Sequence, residues 1–174
     1  MRKTNIQTWT EGWQEAYNRE AEILLKIFKD EWVDVYHIGS TSIPSIGYAK
    51  PIIDILLVVK NVEKVEDFND NMVLMGYKPR GENGIMYRRY FTKGNSNRTH
   101  HLHIYQIGHE NVKRHLDFKA YLTAHPLDAQ KYGELKMKLA AQFPDNTYDY
   151  QEGKEAFIKQ LIKKVEKWTT SQQF

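Results

Sequence analysis

The chain has no cysteine, which excludes disulfide bonds, thiolate nucleophiles and cysteine-based metal sites. It has no apolar run near the roughly 18 residues that a membrane span requires, and its first ten residues lack the apolar segment of a secretory signal. These absences predict a cytoplasmic protein that does not associate with a membrane. The length of 174 residues predicts one domain over 1–174.

The charge of the chain is almost balanced. It has 25 Lys and Arg against 22 Asp and Glu, a net charge of +3. So slight an excess argues against nucleic acid as the partner, and it would not repel a small anionic substrate. The 41% of hydrophobic residues is enough to form a packed core.

Asp54 lies inside an otherwise unbroken apolar run from Ile52 to Val59. A run that is apolar on both faces is typical of a strand covered on both sides. Burying an unpaired carboxylate there would cost several kcal/mol or more, so we expect Asp54 to be protonated, paired or holding a cation. A structural ion pair with Lys50 is the alternative to a functional site.

A tight polar turn precedes this strand. The predicted strand from Val33 to Ile38 continues into Gly39, Ser40, Thr41 and Ser42, whose backbone N–H groups and hydroxyls could hold phosphate oxygens. An ordinary turn capped by hydroxyls is the alternative reading. Thirteen residues separate Ser40 from Asp54. This spacing resembles that of the nucleotidyltransferase superfamily, in which Asp-x-Asp or Asp-x-Glu binds divalent ions; here the second acidic position is Leu56.

Two histidines on a later strand could complete such a site. His101 and His103 are two residues apart, so they share one face of a strand. They could bind Zn²⁺ or Mn²⁺, hydrogen-bond a phosphate, or serve as acid and base; an exposed polar strand face is the alternative. His37 is predicted to be a half-buried, hydrogen-bonded residue that supports the Gly39-Ser40 turn from outside the site.

Periodicity predicts the remaining elements. A capping box at Thr8 to Glu11 is expected to open a helix that ends near Asp30, and a second helix is expected from Val62 to Met75. The predicted meander and last helix have these ranges: Tyr77 to Arg80, Ile85 to Phe91, His100 to Ile107, and Gln151 to Trp168. The predicted fold class is α+β, with an N-terminal helix, a mixed sheet and a C-terminal helical cap, and a binding cleft between the sheet and the cap.

Nearly the whole chain resembles the GrpB family, a divergent branch of the nucleotidyltransferase fold. The matching segments are His37-Ile38-Gly39-Ser40-Thr41-Ser42-Ile43-Pro44, Ala49-Lys50-Pro51-Ile52-Ile53-Asp54-Ile55-Leu56, Gly76-Tyr77, Arg89-Tyr90-Phe91, His101-Leu102-His103, Phe118, Tyr121-Leu122, His125-Pro126, Tyr132, Leu135-Lys136, Tyr148, Lys154 and Phe157-Ile158. The chain departs from the family at Lys119 to Thr123, where Arg-Asp-Tyr-Leu-Arg is usual. The resemblance implies a nucleotidyltransferase-like mixed sheet, and it favours Lys50 and Arg89 as the residues that neutralise phosphate.

The leading hypothesis is a nucleotidyltransferase-like protein that binds a nucleotide or another phosphorylated small molecule. In it Gly39 to Ser42 hold phosphate, Lys50 and Arg89 offset its charge, and Asp54 with His101 and His103 binds a divalent metal (Mg²⁺, Mn²⁺ or Zn²⁺) and carries the catalysis of nucleotidyl transfer. Leu56 weakens the case for a two-metal Mg²⁺ site. Two alternatives stay open: a catalytically silent phosphate-ligand-binding module, and a metal-dependent phosphohydrolase.

Overall fold

The computed structural model describes residues 3–173 and has a five-stranded mixed sheet at its centre. We number the strands in chain order: β1 Gln7–Thr8, β2 Trp32–Ile38, β3 Tyr48–Ala49, β4 Ile53–Val59, β5 Tyr77–Pro79, β6 Arg88–Lys93 and β7 His100–Gln106. The central sheet has the order β2-β4-β7-β6-β5, in which only the β4-β7 pair is parallel. The short strands β1 and β3 form a separate antiparallel pair. The predicted meander is therefore β5-β6-β7.

Five α-helices pack around the sheet. They are α1 Gly12–Phe28, α2 Asn69–Leu74, α3 Glu110–Ala124, α4 Pro126–Gln142 and α5 Thr147–Ser171. Short 3₁₀ segments occupy Lys29–Glu31, Ser40–Ser42, Pro44–Ile46 and Val62–Phe68. We call α3, α4 and α5 together the helical cap. This arrangement confirms the predicted α+β class, and no helix within residues 3–173 is long and apolar enough to cross a membrane.

The two faces of the sheet have different covers. One face packs against α1 through a large apolar cluster that includes Leu24, Phe28, Ile55 and Leu57, each fully buried. Burial of apolar side chains at about 25 cal/mol per Å² is the main stabilising contribution to such a core. The opposite face packs against α3 through a smaller cluster that includes Leu56. Near its β4 and β7 ends, this second face also carries the candidate site.

Close backbone packing fixes α4 next to the polar turn. Gly133 lies against the Pro44–Ile46 segment, and a Cβ atom at Gly133 would come within 1.8 Å of the Ile46 carbonyl oxygen. Only glycine permits this approach. Residues on the next turn of α4 are thereby held against the Gly39–Ser42 turn.

Several predicted boundaries were wrong. The capping box at Thr8 does not form, because Thr8 pairs with Tyr48 in the β1-β3 ladder; α1 begins at Gly12, whose N–H donates to the Thr10 hydroxyl at 3.2 Å. The second predicted helix is divided into the 3₁₀ segment and α2. Its apolar residues Val62, Val65 and Phe68 repeat every three positions, which is the 3₁₀ period.

Two further boundaries shift for local reasons. β6 begins at Arg88, three residues after the predicted start at Ile85, because the preceding residues form a turn. The last helix begins at Thr147 and not at Gln151, because the Asn146 side chain accepts a hydrogen bond from the Asp149 N–H at 3.2 Å and caps the helix.

Candidate functional site

Asp54 and the two strand histidines lie together. Asp54 on β4 is in register with His101 on the parallel strand β7, and all three side chains are on the same face of the sheet. One carboxylate oxygen, Asp54 Oδ1, lies 3.3 Å from His101 Nδ1 and 3.5 Å from His103 Nε2. The Asp54 side chain is 27% exposed, so its carboxylate remains accessible.

The environment of Asp54 favours its charged form. Burial by itself would raise the pKa of Asp54, but the hydrogen bonds and electrostatic attraction of His101 and His103 outweigh burial and hold this pKa well below its ordinary range. Asp54 is therefore a carboxylate at neutral pH. Of the three states expected for Asp54, namely protonated, paired or holding a cation, the described contacts show pairing, with His101 and His103 as the partners.

Gly39 allows the polar turn to approach Asp54 closely. Its φ angle is +70°, and a Cβ atom there would lie 2.6 Å from Asp54 Oδ2. Any other residue would both strain the backbone and displace the carboxylate. The close neighbour of Gly39 is thus the Asp54 carboxylate, and the phosphate at this turn stays a prediction.

The hydroxyls of the polar turn are mostly used within the turn. The Ser42 hydroxyl donates to the Gly39 carbonyl oxygen at 2.7 Å, and Thr41 Oγ1 lies 2.9 Å from His37 Nε2. Thr41 is 1% exposed. The Ser40 hydroxyl contacts the helical cap, where it accepts a hydrogen bond from Lys136 Nζ at 2.6 Å. Thr41 and Ser42 thus shape the turn, and Ser40 and Thr41 also line the cavity between the turn and the helical cap.

Three lysines surround this position; we call Lys50, Lys136 and Lys154 the lysine cluster. The ammonium groups of Lys50 and Lys154 lie 4.5 and 4.7 Å from the centre of the Tyr150 ring. Lys136 Nζ lies 4.7 Å from the centre of the Tyr132 ring. Cation–π contacts of this kind stabilise an ammonium group that has lost part of its hydration.

Burial changes the acidity of two members of the lysine cluster. It lowers the pKa of Lys136 to about 7 and that of Lys154 to about 8, and repulsion within the cluster acts in the same direction. Attraction to Asp54 opposes the change without cancelling it. Both lysines therefore sit where an additional negative charge would be favourable.

The lysine cluster and Asp54 enclose a cavity of about 280 Å³, which we call the inner cavity. Asp54 and His101 form its sheet wall, and Tyr132, Lys136, Tyr150 and Lys154 form its cap wall. The predicted cleft between sheet and cap is thus present. Sequence reasoning did not assign Lys136, Lys154, Tyr132 and Tyr150 to the site, although each tyrosine precedes its lysine by four residues and so shares its helix face.

Arg89 does not reach the inner cavity. On β6 it is in register with Ile104, which faces α1, and it forms an ion pair with Glu66 and a 3.1 Å hydrogen bond to the Arg88 carbonyl oxygen. The prediction that Arg89 contacts the phosphate was therefore wrong. Strand alternation directs its side chain to the sheet face that packs against α1. The neighbouring Tyr90 faces the site instead, with its ring centre 5.2 Å from that of His103.

His37 is a buried residue on the α1 face. Its Nδ1 lies 3.1 Å from Gln14 Oε1, and its ring stacks on Tyr17 with the ring centres 4.8 Å apart. Burial, with a contribution from the nearby charge of Lys119, lowers the pKa of His37 to about 4. Its contact with Thr41 makes it a support of the polar turn. Lys119, at the first departure from the family pattern, donates to the His37 carbonyl oxygen at 2.8 Å.

The side chains near Asp54 are a poor match for a metal site. Within residues 3–173, no three or more His, Asp or Glu side chains are grouped so that they could hold a metal ion. His103 Nδ1 is buried and has no hydrogen-bond partner, whereas a metal-ligating histidine nearly always donates from its second ring nitrogen. Leu56, at the second acidic position, is fully buried in the apolar cluster under α3. These residues do not fit a two-metal site, and the divalent metal stays a prediction.

Comparison with known proteins relates the chain to one family. The family described as GrpB protein matches residues 3–164. UPF0157 protein YqkA of Bacillus subtilis (strain 168) is 46% identical over 167 residues, which are 96% of this chain and 48% of YqkA. The chain thus spans about half the length of that relative. The crystal structure of conserved protein GrpB from Enterococcus faecalis matches with a TM-score of 0.89 at 41% identity, over 94% of this chain and 99% of that chain.

A more distant likeness concerns the fold alone. A crystal structure of the Cid1 poly(U) polymerase, described as Mg 3'-dATP bound, matches with a TM-score of 0.55 at 12% identity. The match covers 85% of this chain and 49% of the polymerase. It confirms the expected nucleotidyltransferase-like fold.

Proposed function

The chain belongs to the GrpB family, and we propose that it binds the phosphate group of a nucleotide or another phosphorylated small molecule in the inner cavity. In this proposal the lysine cluster and Ser40 hold the phosphate oxygens. Asp54 and His101 lie at the opposite wall, where the rest of the ligand enters.

The observation that carries this proposal is the charge of the lysine cluster. Neither Lys136 nor Lys154 has a carboxylate within ion-pair distance in the described part of the chain, and Lys136 is only 3% exposed. Burying ammonium groups without a counter-ion is costly. A phosphate in the inner cavity would supply that counter-ion, since lysines at phosphoryl-transfer sites bind phosphate in this way.

The lowered pKa values support the same proposal. An anion in the inner cavity would favour the charged forms of Lys136 and Lys154, and binding would therefore draw protons from solution at pH 7 to 8. A surface lysine with an ordinary pKa would take up none. Proton uptake on binding is thus a specific signature of these two residues.

Nucleotidyl transfer is the second candidate function, favoured by the position of Asp54 and His101 beside the lysine cluster. An acceptor hydroxyl would form a bond to the α-phosphorus, pyrophosphate would leave toward the lysines, and the hydroxyl proton would pass to His101. Leu56 argues against a second metal in such a reaction. A catalytically silent binding module would need only the phosphate site. The described residues give no further support to a metal-dependent phosphohydrolase.

Calorimetric titration with pyrophosphate, ATP and UTP, each with and without Mg²⁺ or Mn²⁺, tests binding. We expect Lys136→Met to weaken pyrophosphate binding at least tenfold. Lys159→Met is the matched control, because Lys159 is 69% exposed and pairs with Glu155 on the surface of α5. Pyrophosphate affinity that is unchanged in Lys136→Met would overturn the proposal.

Two further measurements separate the candidates. Release of pyrophosphate from a nucleoside triphosphate by the intact protein would favour the transferase, and tight binding without turnover would favour the module. Metal analysis of the purified protein checks the predicted divalent ion independently.

A further inference from the structure

A second, larger opening of about 1080 Å³ adjoins the inner cavity; we call it the outer cleft. Lys50, Ile52, His101 and Gln151 line both spaces. A ligand held in the inner cavity can therefore extend past His101 into the outer cleft without crossing the core. His101, which contacts Asp54 Oδ1, stands where the two spaces meet.

The walls of the outer cleft are rich in groups that both donate and accept hydrogen bonds. The hydroxyl and amide side chains that line it are Thr4, Asn5, Ser96, Asn97, Thr147 and Gln151. Of these, Asn5, Ser96, Asn97 and Gln151 carry groups that can donate to one oxygen of a ligand and accept from another, which matches the double character of a ligand hydroxyl. No Phe, Tyr or Trp of residues 3–173 lines this cleft. It therefore offers none of the aromatic platforms on which bases stack.

Four separate segments form these walls, and hydrogen bonds fix the N-terminal segment and the β6-β7 turn among them. The N-terminal segment is held by Thr4, whose N–H donates to the Pro144 carbonyl oxygen at 2.8 Å and whose hydroxyl donates to the Phe143 carbonyl oxygen at 2.9 Å. In the β6-β7 turn, Arg98 Nη1 donates to the Thr92 hydroxyl at 2.6 Å. A cleft whose walls are already ordered loses less entropy on binding.

We propose that the outer cleft binds a hydroxyl-rich, non-aromatic group, so that the ligand of the whole site is a phosphorylated sugar or polyol. This inference rests on the proposed phosphate site in the inner cavity. It assigns the phosphate to the lysine cluster, the carbon-bound hydroxyls to the amide and hydroxyl side chains of the outer cleft, and the junction between the two parts to His101.

The test compares ligands that share a phosphate and differ in the attached group. Ribose 5-phosphate and glucose 6-phosphate are titrated against inorganic phosphate and phenyl phosphate. We expect at least one sugar phosphate to bind ten times or more tightly than either comparison ligand. Sugar phosphates that bind no better than inorganic phosphate would overturn the inference while leaving the proposed phosphate site intact. Failure of every phosphate and of pyrophosphate would instead remove the proposed function.

Two single substitutions localise the effect. Asn97→Ala in the β6-β7 turn and Asn5→Ala in the N-terminal segment should each weaken the sugar phosphate by about three- to tenfold, the usual effect of one lost hydrogen bond. Neither should change the affinity for inorganic phosphate. Asn71→Ala, at an exposed position on α2, is the control. Equal losses for sugar phosphate and inorganic phosphate, or no loss in either variant, would contradict the assignment of the outer cleft.

Discussion

Replacement of Lys136 by methionine should make the free protein more stable while it weakens pyrophosphate binding at least tenfold. Methionine fills nearly the same space with an unbranched apolar side chain. The substitution removes a buried ammonium group, together with its hydrogen bond to Ser40 and its contact with the Tyr132 ring. The sign of the stability change depends on which of these contributions is larger.

The pKa of Lys136 gives the size of the first contribution. Burial lowers it from 10.5 to about 7, and each pH unit of such a difference corresponds to about 1.4 kcal/mol. At pH 7 the charged lysine therefore costs the folded state about 4 kcal/mol relative to a neutral one. The lost hydrogen bond is worth about 1 kcal/mol, and the lost cation–π contact about 1 to 2 kcal/mol. The variant should be about 1 to 2 kcal/mol more stable at pH 7.

The pH dependence gives a second, independent signature. Between about pH 7 and 10.5 the unfolded chain keeps the Lys136 proton that the folded chain has released, so this lysine makes the stability of the parent protein rise with pH. The methionine variant lacks this contribution. The stability advantage of the variant should therefore shrink as the pH is raised from 7 to 10.

Urea denaturation at pH 7, 8, 9 and 10 measures both signatures, with Lys159→Met as the control on the surface of α5. Pyrophosphate titration of the same samples measures binding. A variant that is less stable than the parent at pH 7, with a difference that does not vary with pH, would refute the argument that Lys136 is held at an electrostatic cost for a ligand.

Three further substitutions test other parts of the site. Asp54→Asn should lower stability at pH 7 by about 1 to 3 kcal/mol, because the pairing with His101 and His103 is lost. In metal-free buffer the same change should tighten pyrophosphate binding, because it removes a negative charge from the inner cavity. Weaker binding would contradict direct binding of the phosphate by the lysines. Gly39→Ala should cost about 1 to 3 kcal/mol and reduce ligand affinity, since its Cβ would meet Asp54 Oδ2 at 2.6 Å and its φ is +70°; thermal melts with titration check both effects. The stability of the fold should fall as the pH drops from 6.5 toward 4, because in this range the unfolded chain protonates His37 and the folded chain does not. His37→Gln should therefore flatten the acid side of a curve of stability against pH. An unchanged curve would show that His37 is not the source of the acid destabilisation.

The sheet could be predicted from the sequence because its signals are local. The apolar run of β4 and the polar turn that follows β2 each lie within ten residues, and both appear in the structure. The start of α1 could not be predicted in this way. Thr8 satisfies the local capping pattern, but pairing with Tyr48, forty residues away, places it in a strand. A long-range contact thus overrides a local preference.

Site prediction succeeded for residues that share neighbouring strands and failed for residues brought in by the cap. The grouping of Asp54 with His101 and His103 follows from strand alternation once β4 and β7 are neighbours. Lys136, in contrast, meets Ser40 across 96 residues of chain, and only the packing of α4 on the turn creates that contact. The error at Arg89 has another origin, because the face of a β6 residue depends on the β6-β7 register.

The arrangement of charge in the site follows from the division of the fold into sheet and cap. The sheet supplies a single carboxylate, Asp54, because the position two residues later is Leu56, buried beneath α3. A second acid there would need either a metal or a loss of apolar packing. The cap instead supplies positive charge directly, through Lys136 and Lys154. With one carboxylate and three lysines, the inner cavity carries a net positive charge without any metal, and the same burial that lowers the lysine pKa values makes an incoming phosphate favourable.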